Sequence, residues 1–443
     1  MNRKEFIQKF SILSLGLANF SFLFSNNQKQ YKDLQNDPEG ILALPKGFTY
    51  DIISKEKQVM DDGLLVPSNA DGMACFKGKG DNLILIRNHE IGHVPELSTF
   101  FKNNPYGKKF KRYIKKNSNK FYDIKKTNTH CFGGTTTIVY NPIKNKTESQ
   151  FLSLAGTLVN CGGGPTPWGS WITCEETEFS KGIGINKKHG YNFEVKATES
   201  VELFNAKPIK EMGRFRHEAI AFSGSGNYVY QTEDREDGLF YRFIPKDKSN
   251  LYNGGKLQFL SLKNFRGVDT SNWKSEFIKK GKKYRVRWYD IDYKKDDLRS
   301  IGKNQGGATF ARGEGIWSNG KDVVFTATTG GPKRKGQIWR YTEQENNDGY
   351  LELVFESSSK EELNMPDNIT IAPWGDIIVC EDGKGRDSLI GIKPDGNLYK
   401  LATNTLNNAE LAGVCFDPKG EILFVNIYNP TITMAIRGPW NTL

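Results

Sequence analysis

The chain repeats a pattern of two short apolar segments separated by a turn that contains glycine. In the first copy, the apolar segment GMACF follows Asp71, the turn is KGKGD, and the second apolar segment ends in Asn88, His89 and Glu90. Two apolar segments around a short glycine turn predict a β-hairpin. The pattern recurs to the carboxyl end, whereas long helical periodicities are scarce. The predicted hairpins begin near Asp71, Cys161, Glu218, Glu314, Asp367 and Ala412.

The ends of these hairpins carry acidic side chains at recurring positions. In an antiparallel hairpin, the start of the first strand lies beside the end of the second strand. Hairpins arranged around an axis form a β-propeller, so their acidic ends would meet at one central mouth. We therefore predict an all-β fold, a single large β-propeller of about six blades over residues 44–443. Besides the opening residues, the acids expected at the mouth are Glu90, Glu175, Glu176, Glu233, Asp234, Glu381 and Asp382.

The carboxyl end carries the last of these hairpins, which ends in the strand EILFVNI. We expect this strand to lie near the amino-terminal strands, because a propeller closes by joining its two ends.

The composition narrows the class of protein without fixing its function. The formal charge of the 443 residues is +11 at pH 7, but the lysines and arginines are spread along the whole chain. An even spread is typical of a solvated surface, and no pattern of a nucleic-acid-binding module is present, so we expect no nucleic-acid partner. The six cysteines show no C-x-x-C spacing, which supports neither a zinc ribbon nor a dense disulfide scaffold.

The amino-terminal residues have the pattern of an export signal. A basic segment, residues 2–9, precedes an apolar run from Phe10 to Phe24 that is too short to span a bilayer comfortably. The order Arg-Lys-x-Phe-Ile resembles a twin-arginine signal with lysine at the second position. We predict a signal over 1–28, a polar linker over 29–43, and a periplasmic or secreted bacterial protein that uses the export machinery. An uncleaved membrane anchor and a lipoprotein are the alternatives.

The segment Asn160–Glu176, NCGGGPTPWGSWITCEE, concentrates the candidate chemistry. It contains a cysteine, three consecutive glycines that permit close backbone approach, and the adjacent carboxylates Glu175 and Glu176. A thiol and a carboxylate pair that face one point predict a metal site. Crowded carboxylates favour Ca²⁺, and a thiolate extends the choice to iron or another transition metal. The alternative is that the acids at the hairpin ends are solvated or pair with lysines, as in an interaction propeller.

Arginines lie close to two of the predicted mouth acids. Arg216 precedes Glu218, and Arg312 lies two residues before Glu314, on the same side of an alternating strand. The planar guanidinium group matches two phosphate oxygens at once. Pairing of these arginines with the ring of carboxylates is an equal alternative. His189 has no partner pattern in the sequence, so it is interpreted as an ordinary residue.

Several motifs together resemble those of the PhoX family of bacterial alkaline phosphatases. They occur in one order from about residue 44 to the carboxyl end: RNHE, NCGGGPTPWGSWITCEE, RHEAIAF, ARGEG and AGVCFDPKGEILFVNIYNPTITMAIRGPW. The resemblance implies a six-bladed propeller that is exported by the twin-arginine route. It also implies an active site with Fe³⁺ and Ca²⁺ that hydrolyses phosphate monoesters, which are small-molecule substrates. We expect the protein to act as a monomer.

The resemblance also implies roles for individual residues. The implied metal ligands are Cys161, Glu176, Glu218, Glu314, Glu90, Glu381 and Asp382. Among them, Cys161 would bind iron through its thiolate, and Glu176, Glu218 and Glu314 would be shared between iron and Ca²⁺. Arg312 and Asn88 are implied as catalytic residues, with Arg312 holding the phosphate oxygens.

The mechanism that we expect is metal-assisted transfer of the phosphoryl group to water, with charge on the equatorial oxygens stabilised by Arg312. Two other functions fit parts of the pattern. A calcium-dependent propeller lactonase or phosphotriesterase would need fewer carboxylates and no thiolate. A non-catalytic binding propeller would hold no tightly bound metal.

Overall fold

The computed structural model describes residues 34–92, 108–124, 131–182, 185–344 and 348–443. The predicted export signal, 1–28, lies outside these residues. The described chain begins with three strands, β1 (Leu34–Gln35), β2 (Leu42–Pro45) and β3 (Thr49–Lys55). The strands that follow are arranged as six blades of antiparallel sheet, which confirms the predicted propeller for this part of the chain.

The blades follow one another along the chain, and each adds its strands outward from an innermost one. Blade 1 contains β4 (Ala70–Lys77), β5 (Leu83–His89), β6 (Gly133–Asn141) and β7 (Lys146–Thr157). Blade 2 contains β8 (Asn160–Pro165), β9 (Ser170–Glu175) and β10 (Asn192–Lys196). The strands of the blade 3 region are β11 (His217–Phe222), β12 (Val229–Glu233), β13 (Gly238–Leu239), β14 (Tyr241–Pro245), β15 (Gly255–Leu262) and β16 (Lys283–Ile291).

The second half of the ring is built in the same way. A short strand β17 (Thr309–Phe310), which pairs with β13, precedes blade 4, whose strands are β18 (Gly313–Ser318), β19 (Asp322–Ala327), β20 (Gln337–Glu343) and β21 (Gly349–Glu356). Blade 5 contains β22 (Pro366–Ile371), β23 (Ile377–Glu381), β24 (Ser388–Ile392) and β25 (Leu398–Asn404). Blade 6 contains β26 (Leu411–Phe416), β27 (Leu423–Ile427) and β28 (Ile432–Arg437). Strand β16 pairs with both β15 and β21 and so joins blades 3 and 4 into one sheet.

Helical structure is sparse in the described residues. The two α-helices there are α1 (Lys108–Asn117), between β5 and β6, and α2 (Leu298–Asn304), which the Asp297 side chain caps at its amino end. Short 3₁₀ turns cover Lys210–Met212, Leu251–Asn253 and Trp440–Thr442. Neither helix has the length and apolar character needed to cross a lipid bilayer.

The amino-terminal strands complete the carboxyl-terminal half of the ring. Strand β3 pairs with β28 and supplies the outer strand of blade 6, so EILFVNI, which contains β27, lies one strand away from it. Strand β2 pairs with β25 of blade 5, and β1 pairs with β2. The segment predicted as a linker, 29–43, is therefore ordered structure from residue 34 onward. The Asp37 carboxylate fixes its turn by accepting hydrogen bonds from the backbone N–H groups of Ile41 and Leu42.

Apolar layers between neighbouring blades hold the ring together. In the layer between blades 3 and 4, the rings of Phe240 and Phe325 stack with centroids 4.5 Å apart, and Trp339 is fully buried beside them. A second layer, between blades 5 and 6, contains the buried side chains of Leu401 and Leu423. These layers leave the polar hairpin ends as the groups that converge on the axis.

The innermost strands approach one another so closely that glycine is required between them. A Cβ atom on Gly162 would lie 2.7 Å from the carbonyl oxygen of Glu218, and one on Gly315 would lie 2.5 Å from the carbonyl oxygen of Asp367. The contacts run from β4 through β8, β11, β18 and β22 to β26, which touches β4 and closes the ring. This close approach sets the small radius at which the hairpin ends meet.

We expect Gly315→Ala to destabilise the fold, because the added methyl group would overlap a backbone carbonyl group that cannot move alone. Overpacking of this kind costs about 1–3 kcal/mol. The measurement is the urea midpoint of unfolding. Gly92→Ala is the matched control, because no heavy atom of the described residues lies within 4 Å of the added Cβ atom. Equal midpoints for the two variants would contradict the packing at the axis.

Candidate metal centre

One position of the blade repeat supplies most of the central side chains. The second residue of the innermost strand is acidic in four blades and is a cysteine in blade 2. In blades 1 to 5, this residue lies inside a register shift in the pairing of the two inner strands, and in blade 6 the shift begins immediately after it. Such β-bulges re-aim side chains, and here they direct this position toward the axis. The side chains at this position are Asp71, Cys161, Glu218, Glu314 and Asp367, with Ala412 in blade 6.

A second position of the repeat adds to the same place. The residue that follows the last residue of the second strand is acidic in four blades: Glu90, Glu176, Asp234 and Asp382. The last residue of the second strand itself turns away from the axis. For example, the carboxylate of Glu233 accepts a hydrogen bond from the backbone N–H of Leu239, which holds the next loop of its own blade.

The donor atoms of these side chains form a continuous series around the axis. In each of four triplets, one ligand atom per residue lies within 4.8 Å of the others. The triplets are Asp71, Glu90 and Cys161; Cys161, Glu176 and Glu218; Glu218, Glu314 and Asp367; and Asp367, Asp382 and Glu410. Neighbouring triplets share Cys161, Glu218 or Asp367. The nine residues of the four triplets therefore form one site rather than four, and we call this site the central cluster.

The central cluster contains six of the seven predicted metal ligands. Glu381 is the exception, because it is in none of the four triplets. Its two carboxylate oxygens accept hydrogen bonds from the backbone N–H groups of Asn364, at 2.8 Å, and Ser388, at 3.1 Å. Glu381 therefore fixes loops of blade 5, whereas its neighbour Asp382 reaches the central cluster.

Asn88 is also placed differently from its predicted catalytic role. Its side-chain N–H groups donate to the carbonyl oxygens of Cys161 and Gly162, both at 2.7 Å, and its oxygen accepts a hydrogen bond from the Trp171 indole at 2.9 Å. The residue is fully buried. Asn88 thus holds the bulge that presents Cys161, and both N–H groups of its side chain are used there.

Glu410 is a central residue that is not among the predicted ones. The sixth hairpin has Ala412 where most other hairpins have their leading acid, but Glu410, two residues earlier, reaches the triplet with Asp367 and Asp382. The signal that identifies it is the acid at the start of ELAGVCF, displaced by two positions from its place in the other blades. Asp71 and Asp367 were expected at the mouth, and the structure makes them members of the central cluster.

Burial and mutual repulsion disfavour the ionised forms of these acids. Burial, with neighbouring carboxylates, holds the pKa values of Asp71, Glu218 and Glu314 well above their ordinary range. Burial also raises the pKa of Glu90 to about 7 and that of Asp382 to about 7, and the Asp367 carboxylate adds to both shifts. So many carboxylates can all be ionised at neutral pH only when cations lie among them.

The oxygen atoms of the cluster are available to bind such cations. Among the described residues, Oδ1 of Asp71 has no hydrogen-bond partner, and the Glu218 carboxylate has none apart from the neighbouring Cys161 thiol. Buried polar atoms without partners are rare in folded proteins. Carboxylate oxygens suit Ca²⁺, and the Cys161 sulfur suits a softer transition metal such as iron. The residues present therefore fit a mixed cluster of hard and softer cations.

Two arginines border the central cluster on its solvent side. Nε of Arg312 donates to Oδ1 of Asp234 at 2.8 Å, and its terminal nitrogen pairs with Glu314. Arg216 pairs with Glu176 and lies 3.4 Å from Asp234. The Arg312 backbone has a positive φ of 57°, so a left-handed turn, rather than the predicted strand alternation, brings its side chain to Glu314. A quarter of the Arg312 side chain is exposed to solvent.

These observations define a β-propeller with a candidate metal centre on its axis. A family model described as "Alkaline phosphatase PhoX" matches residues 29–431 of the chain. The chain therefore belongs to the PhoX alkaline phosphatase family.

One solved structure has a clearly similar fold. The structure of Pseudomonas fluorescens PhoX in complex with vanadate, a transition state analogue, is similar to this chain with a TM-score of 0.64 and 17% sequence identity, covering 93% of this chain and 97% of that one. A gluconolactonase from Xanthomonas campestris matches with a TM-score of 0.43 and 11% identity, covering 89% and 97% of the two chains. The comparison with curated protein sequences found no match.

In protein from which the metal has been removed, we expect the free energy of unfolding to fall as the pH rises. Acids with a raised pKa in the folded state bind more protons there than in the unfolded chain. For Glu90 and Asp382, this stabilisation is present below the unfolded pKa, about 4, and is lost as the pH rises through the folded pKa of about 7. The buried residues His89 and His217 have lowered pKa values and act in the opposite direction, but only below about pH 6.5.

The measurement is the urea midpoint of chelator-treated protein between about pH 6.5 and about pH 8. Burial lowers the pKa of His189, but the carboxylates of Glu175 and Asp123 raise it to about 11, so this histidine adds to the fall in stability from outside the central cluster. The metal-loaded protein is the control, and its midpoint should lose much less over this range. A chelated protein that becomes more stable toward pH 8 would contradict the proposed electrostatics of the central cluster.

Proposed function

We propose that the protein hydrolyses phosphate monoesters and that iron and calcium ions in the central cluster take part. The observation that carries this proposal is the continuous series of buried ligand atoms with Arg312 at its solvent edge. Membership of the PhoX alkaline phosphatase family supports phosphate ester hydrolysis as the chemistry. Small phosphate monoesters are the substrates that we expect to reach this site.

The donor atoms divide the cluster between the two kinds of cation. Cys161, with Glu176 and Glu218, offers one sulfur and carboxylate oxygens, a set that suits iron. The triplet that contains Asp382 and Glu410 offers oxygen atoms alone, a set that suits Ca²⁺. When bound, these ions supply positive charge that neutralises the phosphate and activates water as a nucleophile.

Arg312 is the residue that we assign to the phosphate oxygens. Burial lowers its pKa, but the Glu314 carboxylate raises it more strongly, so the guanidinium group stays charged at any working pH. Asp234 accepts from its Nε and so fixes the direction of the planar group. A guanidinium group holds two phosphate oxygens together and stabilises the charge that develops on them during transfer.

We also propose that residues 1–28 direct export of the folded protein to the periplasm or the medium. The basic segment followed by a short apolar run supports this proposal. Export in the folded state would allow the central cluster to be loaded before the protein crosses the membrane.

We expect Arg312→Ala and Glu314→Ala to differ in their effect on metal content. Arg312→Ala should lower turnover by about 10²–10³ with bound metal unchanged, because it removes charge stabilisation and no ligand. Glu314→Ala should lose both metal and activity, because it removes a ligand shared between two cations. The assay is hydrolysis of a chromogenic phosphate monoester, with bound iron and calcium quantified for each variant.

Arg340→Ala is the matched control for this pair. Arg340 lies in the same blade, 3.9 Å from the carboxylate of Glu352 on the neighbouring outer strand, and should keep full activity. Wild-type turnover in Arg312→Ala, or retained metal in Glu314→Ala, would contradict the assigned roles. A metal-loaded protein that opens a lactone but hydrolyses no phosphate monoester would contradict the proposed function itself.

For export, we expect the full chain in the periplasmic fraction of an exporting bacterial host and a chain lacking residues 1–28 in the cytoplasm. The physical reason is that the shortened chain lacks the apolar run from Phe10 to Phe24, which an export signal needs. Lys9→Gln, which changes a basic residue outside the Arg-Lys-x-Phe-Ile order, is the control and should still be exported. Equal export of the shortened chain would refute the assignment.

A further inference from the structure

A second group of metal-binding side chains lies between the connections of blades 1 and 2. Asp123 and Cys131 belong to the long connection between β5 and β6, His189 belongs to the connection between β9 and β10, and Glu175 is the last residue of β9. We call these four residues the His189 group. Each of the four is at most 2% exposed.

The imidazole ring of His189 is at the centre of this group. Its Nδ1 lies 2.6 Å from Oε1 of Glu175. Its Nε2 lies 3.3 Å from Oδ2 of Asp123 and 3.6 Å from the Cys131 sulfur. One nitrogen therefore faces a single carboxylate, and the other faces a thiol and a second carboxylate together.

The distances around Nε2 are those of a tetrahedral zinc site. With zinc–nitrogen and zinc–oxygen bonds of about 2.0–2.1 Å and a zinc–sulfur bond of about 2.3 Å, tetrahedral angles place nitrogen about 3.3 Å from oxygen and about 3.6 Å from sulfur. The three candidate donor atoms of Asp123, Cys131 and His189 also lie within 4.8 Å of one another. The three donor atoms are therefore close enough together to share one cation.

The surrounding hydrogen bonds orient the same three ligands. A histidine that binds a metal through one nitrogen usually donates its other N–H to a carboxylate, and Glu175 is in that position. Glu175 is itself held by the backbone N–H of Gly190, which lies 2.8 Å from its second oxygen. Oδ2 of Asp123 accepts the backbone N–H groups of Asn186 and Lys187 at 2.7 and 2.8 Å, which fixes this carboxylate toward the imidazole.

We propose that the His189 group binds one Zn²⁺ through Asp123, Cys131 and His189, with Glu175 holding the proton on Nδ1. A thiolate, an imidazole and a carboxylate together suit Zn²⁺, whereas Ca²⁺ and Mg²⁺ take oxygen ligands. Binding releases the Cys131 thiol proton, and any proton on Nε2 of His189, to solvent.

The zinc ion has a structural role in this proposal. It ties the β5–β6 connection of blade 1 to the β9–β10 connection of blade 2. It also holds Glu175, the neighbour of Glu176 in the central cluster. The site is independent of the proposed phosphatase activity, and its test is read without an activity assay.

The first test locates zinc in crystals of the full chain purified from zinc-supplemented cells. Anomalous difference maps are recorded on both sides of the zinc absorption edge, which separates zinc from iron. We expect a zinc peak between Nε2 of His189 and the Cys131 sulfur. Absence of this peak, or zinc found only in the central cluster, would overturn the proposal.

The second test measures zinc per chain in solution. Wild-type protein should hold about one zinc ion that survives dialysis, and Cys131→Ala should lower this content about tenfold or more, because a first ligand is lost. Glu175→Gln should weaken zinc affinity by about 10–100-fold, the usual effect of removing the carboxylate behind a histidine ligand. Cys415→Ala, which changes a buried cysteine in an apolar layer, is the control and should keep its zinc. Equal zinc contents in Cys131→Ala and Cys415→Ala would refute the site.

Discussion

The close approach of the innermost strands at the axis is the constraint on which the rest of the structure depends. A methyl group does not fit where Gly162 and Gly315 meet the neighbouring strands. Hairpins that converge at so small a radius bring the second residues of neighbouring blades close enough to share a cation, and the bulge at that position aims each side chain inward. The density of carboxylates is thus a geometric result of the backbone, and no single blade produces it.

This geometry has an electrostatic cost that the protein offsets in two ways. Arg216 and Arg312 neutralise carboxylates at the solvent edge, and their effect is visible in Asp234, where burial raises the pKa but Glu176 and the arginines lower it below its ordinary value. Deeper in the cluster, no arginine among the described residues pairs with Asp71 or Glu218. Cations are the remaining means of balancing these charges. The solvent edge, with its arginines, therefore suits an anionic substrate, and the deeper region suits metal ions.

Much of the fold and of the centre could be predicted from the sequence, because both depend on a short repeating pattern. The hairpin pattern sets the blades, and six of the seven residues predicted as ligands lie in the central cluster. The placements of Glu381 and Asn88 outside it have one cause: at a strand end, local turn geometry decides which of several neighbouring polar residues faces the axis. Periodicity does not specify that geometry. His189 was interpreted as ordinary because its partners Glu175 and Asp123 lie 14 and 66 positions away, and only the folded chain brings them together.

The strand that closes the ring also sets the order in which the protein can assemble. Strand β3 emerges early in synthesis, but its partner β28 is among the last segments made, and Asp51 and Arg437, which pair across this junction, are 386 residues apart. Closing so long a loop is slow, because its entropy must be lost before the pairing compensates for it. Blade 6 contributes Glu410 to the central cluster, so a partly synthesised chain has an incomplete set of ligands. A chain cut short before blade 6 therefore lacks both the closing strand pair and one of the nine side chains that could hold cations.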